Sequence, residues 1–321
     1  MRAIEIINHQ LHCGKREPPT PNAEQVLIKV HAAGVNRPDV MQRKGLYPPP
    51  PGASDIPGLE IAGVIETIGA NVTQFKPGDA VCALVTGGGY AEYCLANPKL
   101  CLPIPEHWSF VEAASIPETY FTVWSNVFNR AKLGAKQTLF VHGGSSGIGI
   151  TAIQLAKAFG AKVFVTVGNE LKQQACLALG ADAAINYRTQ DFVAEILRLT
   201  DNNGVNVILD MIGGDYCARN LTCLAIEGTL IQIALQQAVK AEINLLPIML
   251  KRLTLTGSTL RARDEPFKAA IAKQLAQQVW PLFNNGHLKP IIDTVFILEE
   301  AAQAHDYMES SQHIGKIILK V

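Results

Sequence analysis

Hydrophobic and polar positions follow different patterns in the first and the middle parts of the chain. Before about residue 120 the apolar runs are short, alternate with polar residues and are separated by Gly and Pro, as at 25–30, 63–68 and 80–84. Alternation over so few residues is typical of half-buried strands. The first part is therefore predicted to be a mostly β domain.

The middle of the chain, from about residue 122 to 257, alternates between strand-like and helix-like segments. Strands are predicted at 138–141, 162–167, 181–187, 205–212, 229–235 and, as an edge strand, 253–259; helices are predicted after the first strand and at 171–179 and 190–199. Strands separated by helices of this length indicate βαβ units and a parallel sheet. The pattern predicts a doubly wound Rossmann domain with a parallel six-stranded sheet, whose ligand lies at the carboxyl ends of the strands.

The remaining tail predicts a helix at 265–283, a strand at 294–298, a helix at 299–309 and a final strand at 315–321. Such a short segment is expected to pack onto the first domain. The predicted fold class is thus α/β with two domains. Residues 1–121 and 262–321 form a β-rich domain, and residues 122–261 form the dinucleotide-binding domain.

A glycine-rich turn joins the first Rossmann strand to its helix. It reads His-Gly-Gly-Ser-Ser-Gly-Ile-Gly, and apolar positions at helical spacing follow it. Its glycine spacing is only a weak signal, but a strand, a tight turn and a helix in this order direct backbone N–H groups and a helix dipole at an anion. We expect Gly144, Ser145, Ser146, Gly147 and Ile148 to hold the pyrophosphate of a dinucleotide.

Charge and cysteine content narrow the class of ligand. Lys plus Arg and Asp plus Glu both number 28, which leaves no electrostatic footprint for nucleic acid or an anionic membrane. The 7 cysteines include no CxxC pair and the histidines no HxxxH pattern, so we expect reduced thiols and no metal site. We expect no secretory signal, because the N-terminal residues contain no continuous apolar region. A cytoplasmic protein with a small-molecule partner is predicted.

Five stretches of the chain carry a resemblance to a known family. They are GVNRPDVMQRKGLYPPPPGASDIPGLEIAGVI, GGGYAEY, AASIPETYFTVW, the glycine turn and HIGKIIL. Over essentially its full length the chain resembles the zinc-free quinone oxidoreductases of the medium-chain dehydrogenase/reductase superfamily. It is similar in particular to the tumour-suppressor-inducible branch, with zeta-crystallin-like enzymes as cousins. The resemblance implies a β-rich, GroES-like catalytic domain beside the Rossmann domain, and a homodimer paired across the edge strand.

The resemblance also bears on zinc. In the zinc-dependent alcohol dehydrogenases, the segment similar to GVNRPD has a cysteine where this chain has Asn36, and the segment similar to GLEIAG has a histidine where this chain has Leu59. Neither an amide nor an aliphatic side chain replaces a thiolate or imidazole ligand. The resemblance therefore implies an enzyme that polarises its acceptor without a metal ion.

The end of the second Rossmann strand indicates which nicotinamide cofactor binds. NAD-specific sites place a carboxylate there, whereas this strand ends in Gly168 and Asn169. Nearby Lys172, Tyr187 and Arg188 can meet a 2′-phosphate, and the resembling enzymes use a small polar residue, a lysine and a tyrosine in this way. Glu170 would repel a phosphate if it pointed inward. NADPH is predicted over NADH; a solvated lysine and a strand-end aromatic are the alternatives.

The resemblance assigns catalytic roles to Asn36 near the nicotinamide, Tyr47 in the acceptor pocket and Ser146 beside the cofactor. Each has a structural alternative: a polar loop cap, packing on the proline run at 48–51, and a helix cap, respectively. The resemblance brings further residues to the cofactor, namely Thr122, Ala234, Leu235, Thr259, Leu260 and Arg261. A surface ion pair is the alternative for Arg261.

The predicted function is an NADPH-dependent quinone oxidoreductase that passes reducing equivalents from the nicotinamide to a quinone. Because a quinone is electron-poor, catalysis depends mainly on holding it about 3 to 3.5 Å from the nicotinamide. Two alternatives stay open. One is an NADPH-dependent alkenal or enoyl reductase of the same superfamily, and the other is a non-enzymatic, crystallin-like NADPH-binding protein.

Overall fold

The chain divides into two compact units. The structure, a computed structural model, describes residues 1–321. Unit 1 comprises Met1–Phe121 and Arg261–Val321, and unit 2 comprises Thr122–Leu260. Arg261 is the first residue of the second segment of unit 1.

The strands of unit 1 form one large sheet and one hairpin. In the numbering of the whole chain they are β1 (Arg2–Ile7), β2 (Gln10–Lys15), β3 (Val26–Val35), β4 (Glu60–Ile68), β5 (Ala80–Leu84), β6 (Tyr93–Ala96), β7 (Cys101–Pro103), β14 (Ile292–Ile297) and β15 (Lys316–Lys320). The large sheet has the order β14-β15-β3-β4-β5-β7, with β6 also paired to β3. Its pairs are antiparallel except β14 with β15. Because β15 pairs with β3, the tail packs onto the first part of the chain, as predicted.

The helices of unit 1 flank this sheet. They are α1 (Arg37–Arg43), α2 (Phe110–Ala113), α9 (Glu265–Gln278), α10 (Trp280–Asn284) and α11 (Ala301–Ser310), together with most of α3 (Pro117–Val123), whose last two residues belong to unit 2. The single helix predicted at 265–283 is wrong, since it is divided at Val279, with φ −107° and ψ −40°. Pro281 explains the break, because it has no amide hydrogen to continue the helical hydrogen bonds.

Unit 2 is a parallel sheet with helical connections. Its strands are β8 (Thr138–Val141), β9 (Lys162–Val167), β10 (Ala183–Asn186), β11 (Val205–Asp210), β12 (Leu224–Gln232) and β13 (Thr254–Gly257). Its helices are a π-helix at Trp124–Arg130 and the α-helices α4 (Gly147–Ala158), α5 (Glu170–Ala178), α6 (Phe192–Leu199), α7 (Tyr216–Cys223) and α8 (Leu246–Lys251). The order β10-β9-β8-β11-β12-β13 is that of a Rossmann fold. All neighbouring strands are parallel, which confirms the predicted doubly wound six-stranded sheet.

Each unit has its own hydrophobic core. In unit 1 the buried faces of β3, β4 and β15 contribute Ile28, Ile61 and Leu319. In unit 2 the central strands contribute Phe140 and Ile208. None of the helices combines the length and the hydropathy that a membrane span requires.

Candidate active site

The glycine-rich turn of unit 2 lies where the strand order reverses, between the ends of β8 and β11. Gly143 has a φ of +73°, which glycine adopts readily. A Cβ on Gly149 would lie 2.3 Å from the carbonyl oxygen of Gly144, and a Cβ on Gly144 would lie 2.5 Å from the Cβ of Val165. Only glycine fits these positions, and Gly147 begins α4 directly after them. Free amide groups at a helix start are suited to phosphate binding.

Ser146 is the N-cap of α4. Its hydroxyl donates to the Gly143 carbonyl oxygen at 2.7 Å and accepts from the Gly149 amide at 3.1 Å. A serine cap contributes about 1 kcal/mol to helix stability. Of its neighbours, Ser145 is buried and Ile148 is half-buried. Ser146 therefore ties the turn to the helix, which is the structural alternative the sequence left open, and a chemical role stays a prediction.

A buried polar network beneath the turn was not predicted from the sequence. The Nδ1 atom of His142 lies 3.1 Å from Thr166 Oγ1, and its Nε2 atom lies 2.7 Å from Asn220 Oδ1. Asn220 donates to Asp210 at 3.1 Å, and the Gly143 amide donates to Thr166 Oγ1 at 3.3 Å. Burial lowers the pKa of His142, which favours a neutral ring. In the sequence, this network is indicated only by polar residues at or near the ends of otherwise apolar strands, such as Thr166 in β9 and Asp210 in β11.

Four predicted cofactor residues meet at the end of β9. Asn169 caps α5, since its Oδ1 accepts from the Lys172 amide at 2.9 Å. Lys172 is only 9% exposed. A Cβ on Gly168 would lie 2.8 Å from the Tyr187 hydroxyl, so that ring lies beside the strand end. Glu170 is exposed, and its carboxylate accepts from Gln174 Nε2, one turn later in the same helix, at 3.4 Å.

The other predicted cofactor residues of unit 2 lie at the first residue of the unit or directly after strands of its sheet. Thr122 is buried, and its carbonyl oxygen accepts from Asn126 Nδ2 at 2.9 Å. Ala234 and Leu235 follow β12, and a Cβ on Gly213 would lie 2.7 Å from Leu235 Cδ2. Two more, which follow β13, are Thr259 and Leu260.

In unit 1, Asn36 bridges a buried ion pair. The side chains of Lys316 and Glu60 are 4% and 0% exposed, and Lys316 Nζ lies 2.6 Å from Glu60 Oε1. Asn36 Oδ1 accepts from Lys316 at 2.7 Å, while its Nδ2 donates to Glu60 at 2.8 Å. The Glu118 amide donates to the second carboxylate oxygen at 2.8 Å. Both ends of the Asn36 amide are therefore engaged within unit 1.

Asp39, Tyr90 and His305 extend this network into the core. Asp39 accepts from the amides of Asn36 and Gly58 at 2.8 and 3.1 Å and from the Tyr90 hydroxyl at 3.1 Å. The Tyr90 oxygen lies 3.2 Å from His305 Nε2. Burial raises the pKa of Asp39 to about 6 and lowers the pKa of His305 to about 3. Asp39 therefore organises the start of α1, where its carboxylate accepts from the Asn36 amide.

The residues at the zinc-ligand positions do not fit a catalytic zinc ion. Leu59 is buried among core residues, and both polar ends of the Asn36 amide are taken by Lys316 and Glu60. No group of three or more His, Cys, Asp or Glu side chains in residues 1–321 is arranged to hold a metal ion.

Tyr47 and Arg261 are neighbours in unit 1. The guanidinium carbon lies 5.7 Å from the centroid of the Tyr47 ring, and Arg261 Nε donates to the Thr86 carbonyl oxygen at 2.8 Å. Arg261 is only 7% exposed, which rules out the alternative of a surface ion pair. Burial raises the pKa of the half-buried Tyr47 phenol, and the nearby guanidinium partly offsets this.

A cavity of about 490 Å³ in unit 1 lies beside the proline run. Pro50 and Pro51 form part of its wall, together with Thr86. The proline run thus borders a pocket, but neither Tyr47 nor Arg261 lines it.

Comparisons with known proteins place the chain in a family. The profiles of the "Alcohol dehydrogenase GroES-like domain" and of "Zinc-binding dehydrogenase" match residues 22–106 and 147–276. Quinone oxidoreductase from Rattus norvegicus is 35% identical over 304 residues, which are 94% of this chain and 90% of the rat protein. The chain belongs to the zeta-crystallin-like quinone oxidoreductases of the medium-chain dehydrogenase/reductase superfamily. The predicted family is confirmed, and the protein is an oxidoreductase of this superfamily.

Solved structures of the superfamily share the complete fold. The quinone oxidoreductase of Escherichia coli complexed with NADPH has a TM-score of 0.90 at 28% identity, with 100% of both chains covered. The CurK enoyl reductase has a TM-score of 0.87 at 26% identity, with 99% of this chain and 98% of that chain covered. The same fold therefore serves proteins named for two different acceptors.

Proposed function

We propose that this oxidoreductase transfers a hydride from NADPH to a quinone without a catalytic zinc ion. The observation that carries the cofactor assignment is the end of β9, where the buried Lys172 and the Tyr187 hydroxyl accompany Gly168 and the adjacent Glu170 is exposed. A cation and a hydroxyl suit a 2′-phosphate, whereas a ribose of NAD favours a carboxylate there. The NADPH complex of the E. coli relative supports the same cofactor.

The residues of unit 2 fit this cofactor. The turn from Gly143 to Gly149 offers backbone donors for the pyrophosphate, and Ser146 holds that turn against α4. Bound NADPH supplies the hydride. Thr122, Ala234, Leu235, Thr259 and Leu260 are proposed to surround its nicotinamide half.

Two residues of unit 1 are proposed to serve the acceptor. Tyr47 carries a phenol that can donate a hydrogen bond, and ultimately a proton, to an acceptor oxygen. Asn36 acts as a positioning residue, because its amide spans Lys316 and Glu60 at the start of α1. The quinone specificity is supported by the relatives named quinone oxidoreductase.

The rival functions are separated by turnover and binding measurements. We expect the wild-type enzyme to reduce ortho- and para-quinones with NADPH at a higher kcat/KM than alkenals or an enoyl thioester. Faster reduction of alkenals or enoyl thioesters would favour the CurK-like alternative. Tight NADPH binding without oxidation by any acceptor would favour the crystallin-like alternative.

The proposed 2′-phosphate site predicts that Lys172 contributes to the preference for NADPH over NADH. Lys172→Ala removes the cation proposed for the 2′-phosphate, so the ratio of kcat/KM for NADPH over NADH should fall at least about tenfold, the value of one charge-assisted hydrogen bond. Lys162→Ala, an exposed lysine at the opposite end of β9, is the matched control and should leave the ratio unchanged. A wild-type ratio at or below unity would contradict the assignment.

We also propose a cytoplasmic homodimer. The 7 cysteines are free, and only Cys13 is exposed, which suits a reducing compartment. The strand β13 is the last of its sheet and has one unpaired edge. An unprotected edge strand invites pairing with another chain.

A further inference from the structure

Arg261 is a buried cation whose hydrogen-bond donors are mostly unpaired. The side chain is 7% exposed, and only Nε has a partner, the Thr86 carbonyl oxygen at 2.8 Å. Both Nη1 and Nη2 are buried without any hydrogen-bond partner. An unpaired buried charge is strongly unfavourable for folding, so the stability of the fold does not explain this arginine.

Other arginines of unit 1 are placed differently. Arg16 donates to both oxygens of Asp55, at 2.8 and 2.9 Å. Arg263 is exposed and lies over the Phe267 ring at 3.9 Å. The carboxylate whose field acts on Arg261 is that of Asp39, whose oxygens accept from two backbone amides and the Tyr90 hydroxyl. Arg261 thus lacks the internal anion that Arg16 has.

The guanidinium is also held in place. Its Nε is fixed by Thr86, and Lys268 Nζ donates to the Arg261 carbonyl oxygen at 2.9 Å. A Cβ on Gly87 would approach Nη2 to 3.2 Å, so a bare backbone lies against that nitrogen. The Tyr47 ring also lies beside the guanidinium, with its centroid 5.7 Å from the guanidinium carbon. Fixed donors of this kind stabilise charge with little reorganisation.

We propose that Nη1 and Nη2 of Arg261 bind the conjugated carbonyl oxygen of the acceptor and stabilise the negative charge that forms on it during reduction. This rests on the proposed function and moves Arg261 from the cofactor to the acceptor. The hydride brings two electrons and forms one new bond to the acceptor, and the displaced π pair of the conjugated system comes to rest on the oxygen. A proton from water or from Tyr47 then completes the reduced product. The guanidinium supplies the polarisation that zinc supplies in the zinc-dependent relatives.

This role defines the acceptor class. A fork of two N–H donors selects a compound whose oxygen becomes anionic on reduction, such as a quinone, an alkenal or an enone. An alkene without a conjugated carbonyl places no charge at that point and gains nothing from Arg261.

The test compares Arg261→Gln and Arg261→Lys with Arg263→Gln, the exposed arginine two residues away. With menadione and NADPH, Arg261→Gln should lower kcat/KM by about 10- to 100-fold, while the NADPH dissociation constant from nicotinamide fluorescence should change less than about twofold. Arg261→Lys should recover part of the loss. Arg263→Gln should leave both quantities unchanged.

Two further measurements do not depend on turnover. Para-nitrophenol, whose anion is coloured, should bind to the wild type at least about tenfold more tightly as the anion than as the phenol, and Arg261→Gln should remove this preference. Because it removes an unpaired charge, Arg261→Gln should unfold in urea at the same or a higher midpoint than the wild type.

Several outcomes would overturn the proposal. A rise in the NADPH dissociation constant that equals the loss in kcat/KM would assign Arg261 to the cofactor. A lower urea midpoint with unchanged acceptor kinetics would make it structural. If the wild type reduces neither quinones nor alkenals, the proposed function fails, while anion-selective nitrophenol binding that Arg261→Gln abolishes would still support the oxygen site.

Discussion

At the scale of single residues, two of the predicted site residues have polar atoms that are already hydrogen-bonded within the protein. Asn36 and Ser146 have their polar atoms engaged within their own units, by Lys316 and Glu60 in the first case and by the glycine turn in the second. Arg261 is the opposite, since two of its nitrogens are buried without partners. The three predicted site residues therefore differ in whether their polar atoms already have hydrogen-bond partners within the protein.

The role proposed for the Tyr47 hydroxyl predicts a loss of quinone turnover when that hydroxyl is removed. Tyr47→Phe removes a phenolic donor but keeps the ring beside Arg261, so kcat/KM for quinones should fall by about tenfold, the value of one hydrogen bond. Steady-state kinetics with saturating NADPH measures this. Tyr93→Phe is a matched control on β6, and wild-type kinetics in Tyr47→Phe would exclude a role for the hydroxyl.

The buried His305 predicts a dependence of stability on pH. Its folded-state pKa, about 3, lies below the ordinary value of 6.5 because burial disfavours the charged ring. The unfolded state therefore binds the proton first, and the stability contributed by the neutral ring is complete above pH 6.5 and lost as the pH falls towards 3. The loss should reach a few kcal/mol, at about 1.4 kcal/mol per pKa unit.

Urea unfolding at pH 7 and pH 4.5 measures this loss. His305→Gln should flatten the decrease, whereas His12→Gln, at an exposed histidine, should unfold with the wild-type pH dependence. The same decrease in wild type and His305→Gln would show that other groups cause it.

At the scale of elements, the turn between β8 and α4 is the most constrained piece of unit 2. Its glycines approach backbone atoms and β9, Ser146 caps the helix, and the His142 network supports it from below. Because these contacts share the same few residues, the turn is expected to respond as one piece when any of them is changed.

Gly149→Ala tests this expectation. The added Cβ would lie 2.3 Å from a backbone oxygen, so the turn must open and the NADPH dissociation constant should rise at least about tenfold. Gly134→Ala is the control, since a Cβ there meets nothing closer than 3.7 Å. Isothermal titration with NADPH compares the two variants, and equal affinities would show that the turn does not bind the cofactor.

At the scale of the whole molecule, an apolar surface accompanies the free edge of β13. Leu246, Met249 and Leu250 of α8 are exposed, and so is Leu255 of β13 itself. Neighbouring exposed apolar side chains commonly mark a protein–protein interface. The proposed homodimer would cover them.

Dimerisation is tested by light scattering at micromolar concentration, where we expect twice the 34.7 kDa mass of the chain. Met249→Glu combined with Leu250→Glu should yield monomers, because charges would be buried at the interface. Leu177→Glu, at an exposed leucine of α5, should stay dimeric. A wild-type monomer under these conditions would refute the proposal.

The sequence by itself determined the local and periodic features of this protein. The apolar strands at 138–141 and 162–167, the glycine turn and the tail strand that pairs with β3 were all predictable, because they depend on side-chain period and on backbone freedom within a few residues. The family resemblance rests on the same short motifs. The break at Val279, by contrast, was missed although Pro281 was visible in the sequence.

Only the tertiary structure decided which polar groups are paired. Lys316 reaches Glu60 and Asn36 across 256 and 280 positions of the chain, and Asn220 meets His142 across 78. Arg261 is flanked by Thr86 and Tyr47 from distant segments, which leaves its outer nitrogens buried and unpaired. Burial and pairing arise when distant segments pack together, so no local pattern reports them.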